Sequence, residues 1–449
     1  MRSFRWLFIS GGIVVVLLVL AIAIGAAWLN TFIHSDSFRH EVETRAGDTL
    51  GGPVKIDAID LDVFGRISLR GVSTQVDSSR VNGQGTLVAK VESVKCSYSL
   101  LALLSGRVTL TALTLEKPEI VLTRQPPATI SPAVHPDVNA GQTPQPAKTA
   151  PLKTVLDGAD IIDGSLSIRN ADGATLTVLQ GIDVGADTSG YFDGKDVTGS
   201  LKIASLSFSP NLQLTGFSTP WTYGPRDGSL SAKPFEAFAF GGRLAGDFSL
   251  DETGPSVLDV NGKALDVGQI SRAAHPSSGT RLSGSLDLQS KWRGIESGQI
   301  NGEGDFQLTN GKLEGVRLLQ ELAGILRVNE LNAPILRKVQ SHFQVANGQT
   351  RFTGLQLDAN VFQMTGDGVI GADGGLDANL VLILTRDSMG RIPREVLNFF
   401  VQQQDGSGSV GFHLGGTIDH PQTDLATRIL LNGAGMKNVI SKALNKFFH

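Results

Sequence analysis

Two strings in this chain have the spacing G-x-G-x-x-G, Gly366 to Gly371 and Gly406 to Gly411, the glycine pattern of a dinucleotide-binding turn. That chemistry needs each string to lie between a strand and a helix N-terminus, where backbone N–H groups cradle a pyrophosphate. Neither context is met. The first string leads through Ala372-Asp373-Gly374 into an alternating run from Leu376, and the second runs into one holding Val410, Phe412 and Leu414. Both read as turn glycines. The lysines after Gly194, Gly262 and Gly311 are followed by Asp196, Ala264 and Leu313, so no G-K-[ST] phosphate loop exists, and G-x-S-x-G and H-E-x-x-H are absent. Asp57, Asp60 and Asp62 lack the glycine and distal glutamate of a calcium loop and read as the solvated face of a strand. His413 and His420, near Asp419, make a weak metal pair and read as exposed residues of a last hairpin. Cys96, the sole cysteine, can build neither a disulfide, a zinc cage nor a redox pair, and reads as a small apolar side chain in a strand. No catalytic residue, metal ligand or cofactor is assigned. The expectation is a binding, transport or scaffolding protein rather than an enzyme.

Those residues must be carried by elements, and the first is unlike the rest. Trp6 to Leu29 holds no charge and follows Arg2 and Arg5. As a helix it would measure roughly 36 Å, enough to cross a hydrocarbon core of about 30 Å with some tilt. Trp6 and Trp28 mark its ends, and the preceding arginines place residues 1–5 in the cytoplasm and the bulk of the chain across the membrane. A cleavable signal peptide is the alternative, with Gly25-Ala26-Ala27 as the small-residue site. A net charge of -4 and the lack of a basic stripe exclude a nucleic-acid partner from the expectation.

A short helix is predicted over Ser35 to Leu50, stopped by Gly51-Gly52-Pro53. Strands follow, with a bend at Ala58 where the alternation slips, then at Ile67 to Val76, Leu87 to Tyr98, Val108 to Leu115 and Ile120 to Thr123. Residues 30–124 form an N-terminal β region. Residues 125–153 hold seven prolines and almost no large apolar side chain, and read as a linker. Residues 154–435 form a larger β region of short alternating runs separated by glycine, with helices at Val316 to Val328 and Ile392 to Val401. Residues 436–449 read as an amphipathic helix: Met436, Val439, Ile440, Ala443, Leu444, Phe447 and Phe448 share a face, with Lys437, Lys442 and Lys446 off it.

From Tyr98 to Arg124 the order of residues resembles the N-terminal part of the AsmA family: Leu100, Leu101 and Leu104, then Gly106, Leu113 and Leu115, then Pro118, Ile120 and Leu122. The resemblance continues over Asp157 to Gly173 and Ala239 to Asp251. It is strongest over Phe343 to Leu384 and Val410 to Leu425, with a Gly-Thr and an Asp-His-Pro near the end. The chain is short for the family, and the proline-rich insert is foreign to it.

This resemblance implies a mainly β fold: an elongated, curled, antiparallel-rich sheet forming an apolar trough, with a few short amphipathic helices behind a transmembrane anchor. It implies a protein of a bacterial inner membrane, facing the periplasm, that binds membrane phospholipids and supports their transport toward the outer membrane. An envelope protein partner or a soluble lipid carrier is expected; the oligomeric state is left open. About 20 strands at roughly 4.8 Å would give a trough of at most about 100 Å, too short to reach the outer membrane unaided. Candidate groove residues are Phe306 and Leu308, Phe352, Phe362 and Met364, Leu380 and Leu382, and Phe412 and Leu414. The competing expectation is a scaffold or assembly factor for outer-membrane proteins, its apolar faces forming a dry core. Alternation alone favours that dry core, since it does not distinguish an inside filled by side chains from one filled by lipid. The resemblance reverses the order.

Overall fold

A computed structural model describes residues 36–62, 66–77, 85–98, 109–124, 155–209, 211–251, 254–274, 279–295, 299–418 and 420–425. The expected anchor (6–29), proline-rich linker (125–153) and C-terminal helix (436–449) lie outside the described residues. Among the described residues no helix is long and apolar enough to cross a membrane. Among the described residues the fold is mainly β, with 22 strands in predominantly antiparallel sheet and few, short helices. The chain divides into two compact units, Met1–Phe235 and Glu236–His449.

The first unit begins with α1 (Asp36–Leu50), β1 (Val54–Lys55) and β2 (Ala58–Asp62), followed by β3 (Arg66–Asp77), β4 (Gly85–Tyr98) and β5 (Thr109–Arg124). It continues through β6 (Val155–Leu156), β7 (Gly158–Arg169), β8 (Thr175–Asp187), β9 (Val197–Ser209) and β10 (Leu212–Gly224). The expected bend falls where β1 and β2 part, opposite Gly71 at φ 63°. Two strands were expected within 108–123; one is found, because Pro118 stays in the ladder opposite Val91. The φ of 46° at Lys117 turns the chain there, and the ladder to β7 skips the residues around Pro118, so its missing N–H is not needed. β5 and β7 pair in parallel, from Leu113 with Ala159 to Thr123 with Arg169. The chain leaving Arg124 must therefore travel back along the strand to reach Val155, whose partner is Thr109.

In the second unit β12 (Gly242–Leu250), β13 (Val257–Asp266), β14 (Arg281–Arg293) and β15 (Asn301–Glu314) precede β16 (Ile335–Ala346), β17 (Gln349–Ala359), β18 (Phe362–Ile370) and β19 (Leu376–Leu384). It ends with β20 (Val401–Gln402), β21 (Gly408–Gly416) and β22 (Pro421–Thr423); β11 (Ser229–Ala239) carries the division between the units. Four helices interrupt these strands: α2 (Val267–Ala274), α3 (Arg317–Leu326), α4 (Arg386–Met389) and α5 (Arg394–Leu397). The helix expected over Ile392 to Val401 is thus shorter, since the chain enters β20 at Val401. α2 was not expected. Its signal was Asp266, whose Oδ1 accepts the N–H groups of Gly268 at 2.7 Å and Gln269 at 3.2 Å.

One local device recurs in both units. Asp163, Ala264 and Gly354 have φ of 55°, 53° and 63°, each where its strand carries an extra residue. Their N–H groups donate to the carboxylates of the facing residues Asp183 (2.9 Å), Asp287 (2.9 Å) and Asp367 (2.7 Å). A bulge bends its strand and increases its twist, so an aspartate opposite each one fixes a bend and satisfies the N–H that the ladder loses.

A candidate apolar binding face

Residues directly opposed in a ladder share a face, so the register of the second unit draws its apolar side row by row. Leu286, Leu308, Val339, Leu357, Met364, Leu382 and Val410 form one row from β14 to β21. A parallel row, nearer the other end of the strands, is Ser290, Gly304, Phe343, Phe352, Gly368, Ala378 and Leu414. Leu288 and Phe306 are opposed between them, as are Gly366, Leu380 and Phe412.

The two halves of this face differ. Over the first row lie α3 and its continuation, with Leu322, Leu326, Val328 and Leu331, together with Met389, Ile392, Val396 and Phe400 from the α4–α5 region. These close a packed cluster around Leu308, Phe362, Leu380, Leu382 and Phe412, with Met364 and Leu414 packed against it in part. Leu384, Leu326 and Val396 are 0 % exposed. The structure thus places most of the candidate groove residues in a dry core at the helical rim.

Phe306 and Phe352 lie outside that cluster and are half-buried. They meet edge to face, with centroids 6.4 Å apart and planes at 88°. Beside them the half-buried Trp292 approaches Phe343, which is itself buried, to 6.1 Å. Leu288, Val345, Ile370 and Leu376 extend this half-buried surface, and none of these residues belongs to the packed cluster. The rings lie low because glycines face them. A Cβ on Gly302, opposite Trp292, would meet the indole Cε3 at 2.3 Å, and one on Gly304 would meet Phe343 Cζ at 2.9 Å. The indole N–H, the polar tip that would roughen an apolar floor, donates to Ser290 Oγ at 3.0 Å. The result is a smooth, uncharged strip that buries no ionisable group.

The first unit repeats the plan. Thr74, Ala89, Ile120, Leu166, Leu179, Leu206 and Leu214 form a continuous row from β3 to β10. α1 covers one end, where Val42 and Ala46 pack with Val72, Val91, Val94, Cys96 and Leu113. Burial pushes the Cys96 thiol up to about 11, in keeping with an unreactive core side chain. Toward β10 the face is half-buried again, and Trp221 lies over Gly199, where a Cβ would meet Cζ2 at 2.5 Å.

The opposite face is polar. Lys263 pairs with Asp287 at 3.1 Å, His342 Nδ1 lies 3.1 Å from Asp305, and Gln340 donates to Gln356 at 2.6 Å, around a shallow recess of about 570 Å³. His413 faces Asp377 at 3.3 Å, and Asp60 pairs with Arg70 at 2.5 Å. Neither belongs to a wider constellation: among the described residues no group of three or more His, Cys, Asp or Glu is placed to hold a metal ion.

The sequence of the first unit completes the picture, because residues 7–191 match the model of the AsmA family. Over that span the chain is similar to the AsmA family. The AsmA match takes in β1 to β8 and ends at Tyr191, so the C-terminal stretches where the resemblance in sequence is densest lie beyond it. No curated protein matches the chain. Trp292, Phe343 and their glycines were missed in the sequence, although the run Gly302, Gly304, Phe306, Leu308 held the signal: glycine at the same parity as the apolar residues.

Proposed function

We propose that this protein binds the acyl chains of phospholipid on the open halves of its apolar faces. In this reading it is anchored in a bacterial inner membrane with its bulk in the periplasm, and it supports lipid movement toward the outer membrane. The observation that carries the reading is the strip of Leu288, Trp292, Phe306 and Phe352, half-buried, uncharged and floored by glycine. A water-exposed acyl chain costs roughly 0.8 kcal/mol per methylene, and an apolar strip next to a hydrated polar rim removes that cost without extracting the headgroup from water. No catalytic group is needed for this. The match of residues 7–191 to the AsmA family supports an envelope role of this kind.

The two halves of the face give the test its internal control. Photocrosslinking side chains at Phe306 and Phe352 should capture phospholipid in membranes, whereas the same probes at Leu382 and Phe362, in the dry core, and at Gln307, on the polar face, should not. If Phe306 and Phe352 capture no more lipid than Gln307, the reading fails.

A further inference from the structure

We infer that the recess on the polar face of the second unit, between the bulges of β13 and β17, is a binding site for a neutral saccharide. Two bends frame it. In β13 Lys263 and Ala264 together stand opposite Asp287, and in β17 Thr353 and Gly354 together stand opposite Asp367. Each extra residue bends its strand and sharpens its twist. Four strand steps, about 19 Å, separate the two bulges. The recess of about 570 Å³ lies between them, with Lys263 at one margin and Thr353 and Gly354 at the other. That second margin is open, since a Cβ on Gly354 would meet nothing within 4 Å.

The charges of the recess are already matched. Asp287 accepts from the Ala264 N–H at 2.9 Å and from Lys263 at 3.1 Å, and Asp305 lies 3.1 Å from His342 Nδ1. Lys263 is the only lysine or arginine among the described residues that line it, so an anion finds no free cation there. What remains is amide and hydroxyl. Gln289, Gln307 and Thr353 are exposed, with Gln340 and His342 half-buried between them. They fall into two neighbouring rows of opposed residues: Gln289, Asp305, His342 and Thr353, and beside it Asp287, Gln307, Gln340 and Gln356. A carboxamide holds donors and an acceptor in one plane. Adjacent hydroxyls of a sugar each donate and accept, so one carboxamide can bridge two of them. The Gln340 amide, donating to Gln356 at 2.6 Å, is held in place to do so. Leu288 and Phe306 alternate with these residues and turn to the apolar face, so an acyl tail has nothing to lie on here and the ligand is a soluble saccharide rather than a glycolipid. With no ring to stack on, hydrogen bonds to half-exposed groups carry the binding, and its affinity is on the order of millimolar. The site does not rest on the lipid reading above.

Saturation-transfer difference NMR tests it on the full chain in lipid nanodiscs, which keeps sugar-based detergents out of the sample. The probes are maltose and cellobiose, with a glucose phosphate and glucosamine as charged counterparts and empty nanodiscs as background. The expected result is transfer to at least one of the two disaccharides, falling at least about fivefold in Gln340→Ala and in the double variant Gln289→Ala with Gln307→Ala. Gln402→Ala, which removes an exposed carboxamide on β20 outside the recess, should leave the signal unchanged. Transfer to neither disaccharide above background, stronger transfer to the charged sugars, or equal transfer in the recess variants and the parent overturns the site. Because the readout follows the sugar alone, its failure leaves the photocrosslinking result untouched, and the reverse also holds.

Discussion

At the scale of single residues the aspartates opposite the bulges set the curvature. Asp287 is held ionised first by the N–H of Ala264, then by Lys263, and its carboxyl lies below the usual carboxylate range. A lowered folded-state pKa means that this contribution is complete above about 4, the unfolded value, and is lost as pH falls through the folded value. Asp287→Ala should lower stability by about 1 kcal/mol, since the group is partly exposed and its bonds from the Ala264 N–H and from Lys263 are lost. Asp287→Asn keeps an acceptor and should cost less, while flattening the acid limb of a urea-midpoint against pH plot. Gly302 is the second such position. Gly302→Ala puts a methyl 2.3 Å from the Trp292 ring, so the indole must lift off the floor. Tryptophan fluorescence should shift and stability should fall by about 1–3 kcal/mol.

At the scale of elements the short helices decide which apolar residues are core. Leu382 is 2 % exposed beneath the cover of α3 to α5, and Leu382→Ala should cost about 2–5 kcal/mol through lost burial and a cavity. Phe352→Ala, on the open half, should cost clearly less despite the larger side chain removed. Equal losses in denaturant titrations would mean that both halves are closed. The strand alternation itself was legible: Leu376, Ala378, Leu380, Leu382 and Leu384 were assigned to one face and form one. The helix over 316–328 was legible from its period. What alternation did not carry was the cover, because period two reports only that a face is apolar, and the helical residues that share a packed cluster with Leu382 are distant from it in sequence.

At the scale of the whole molecule, the parallel pairing of β5 with β7 constrains the connection between them. Returning from Arg124 to Val155 along a strand of 16 residues means crossing about 50 Å, which takes at least about 15 residues. Trimming 125–154 to about 20 residues should leave the β5–β7 ladder intact, whereas trimming it to ten should break it; amide hydrogen exchange in β5 reads the difference. The proline content of the segment forbids a core of its own, which the composition told directly. That the strands on either side of it are neighbours was not readable, since nothing local records a parallel partner.

Sequence alone determined that this is a β protein with long apolar faces, that it lacks the spacings of the common catalytic and phosphate-binding motifs, and which side chains share a face. Those follow from the two-residue period of a strand and from residue spacing, both local properties. Only the tertiary structure decided that Leu308, Phe362, Leu380, Leu382 and Phe412 are sealed under helices while Phe306 and Phe352 stay half-open. Burial depends on which distant segment packs over a face, and that is fixed by the competition of all apolar surfaces for cover rather than by any residue's own neighbours.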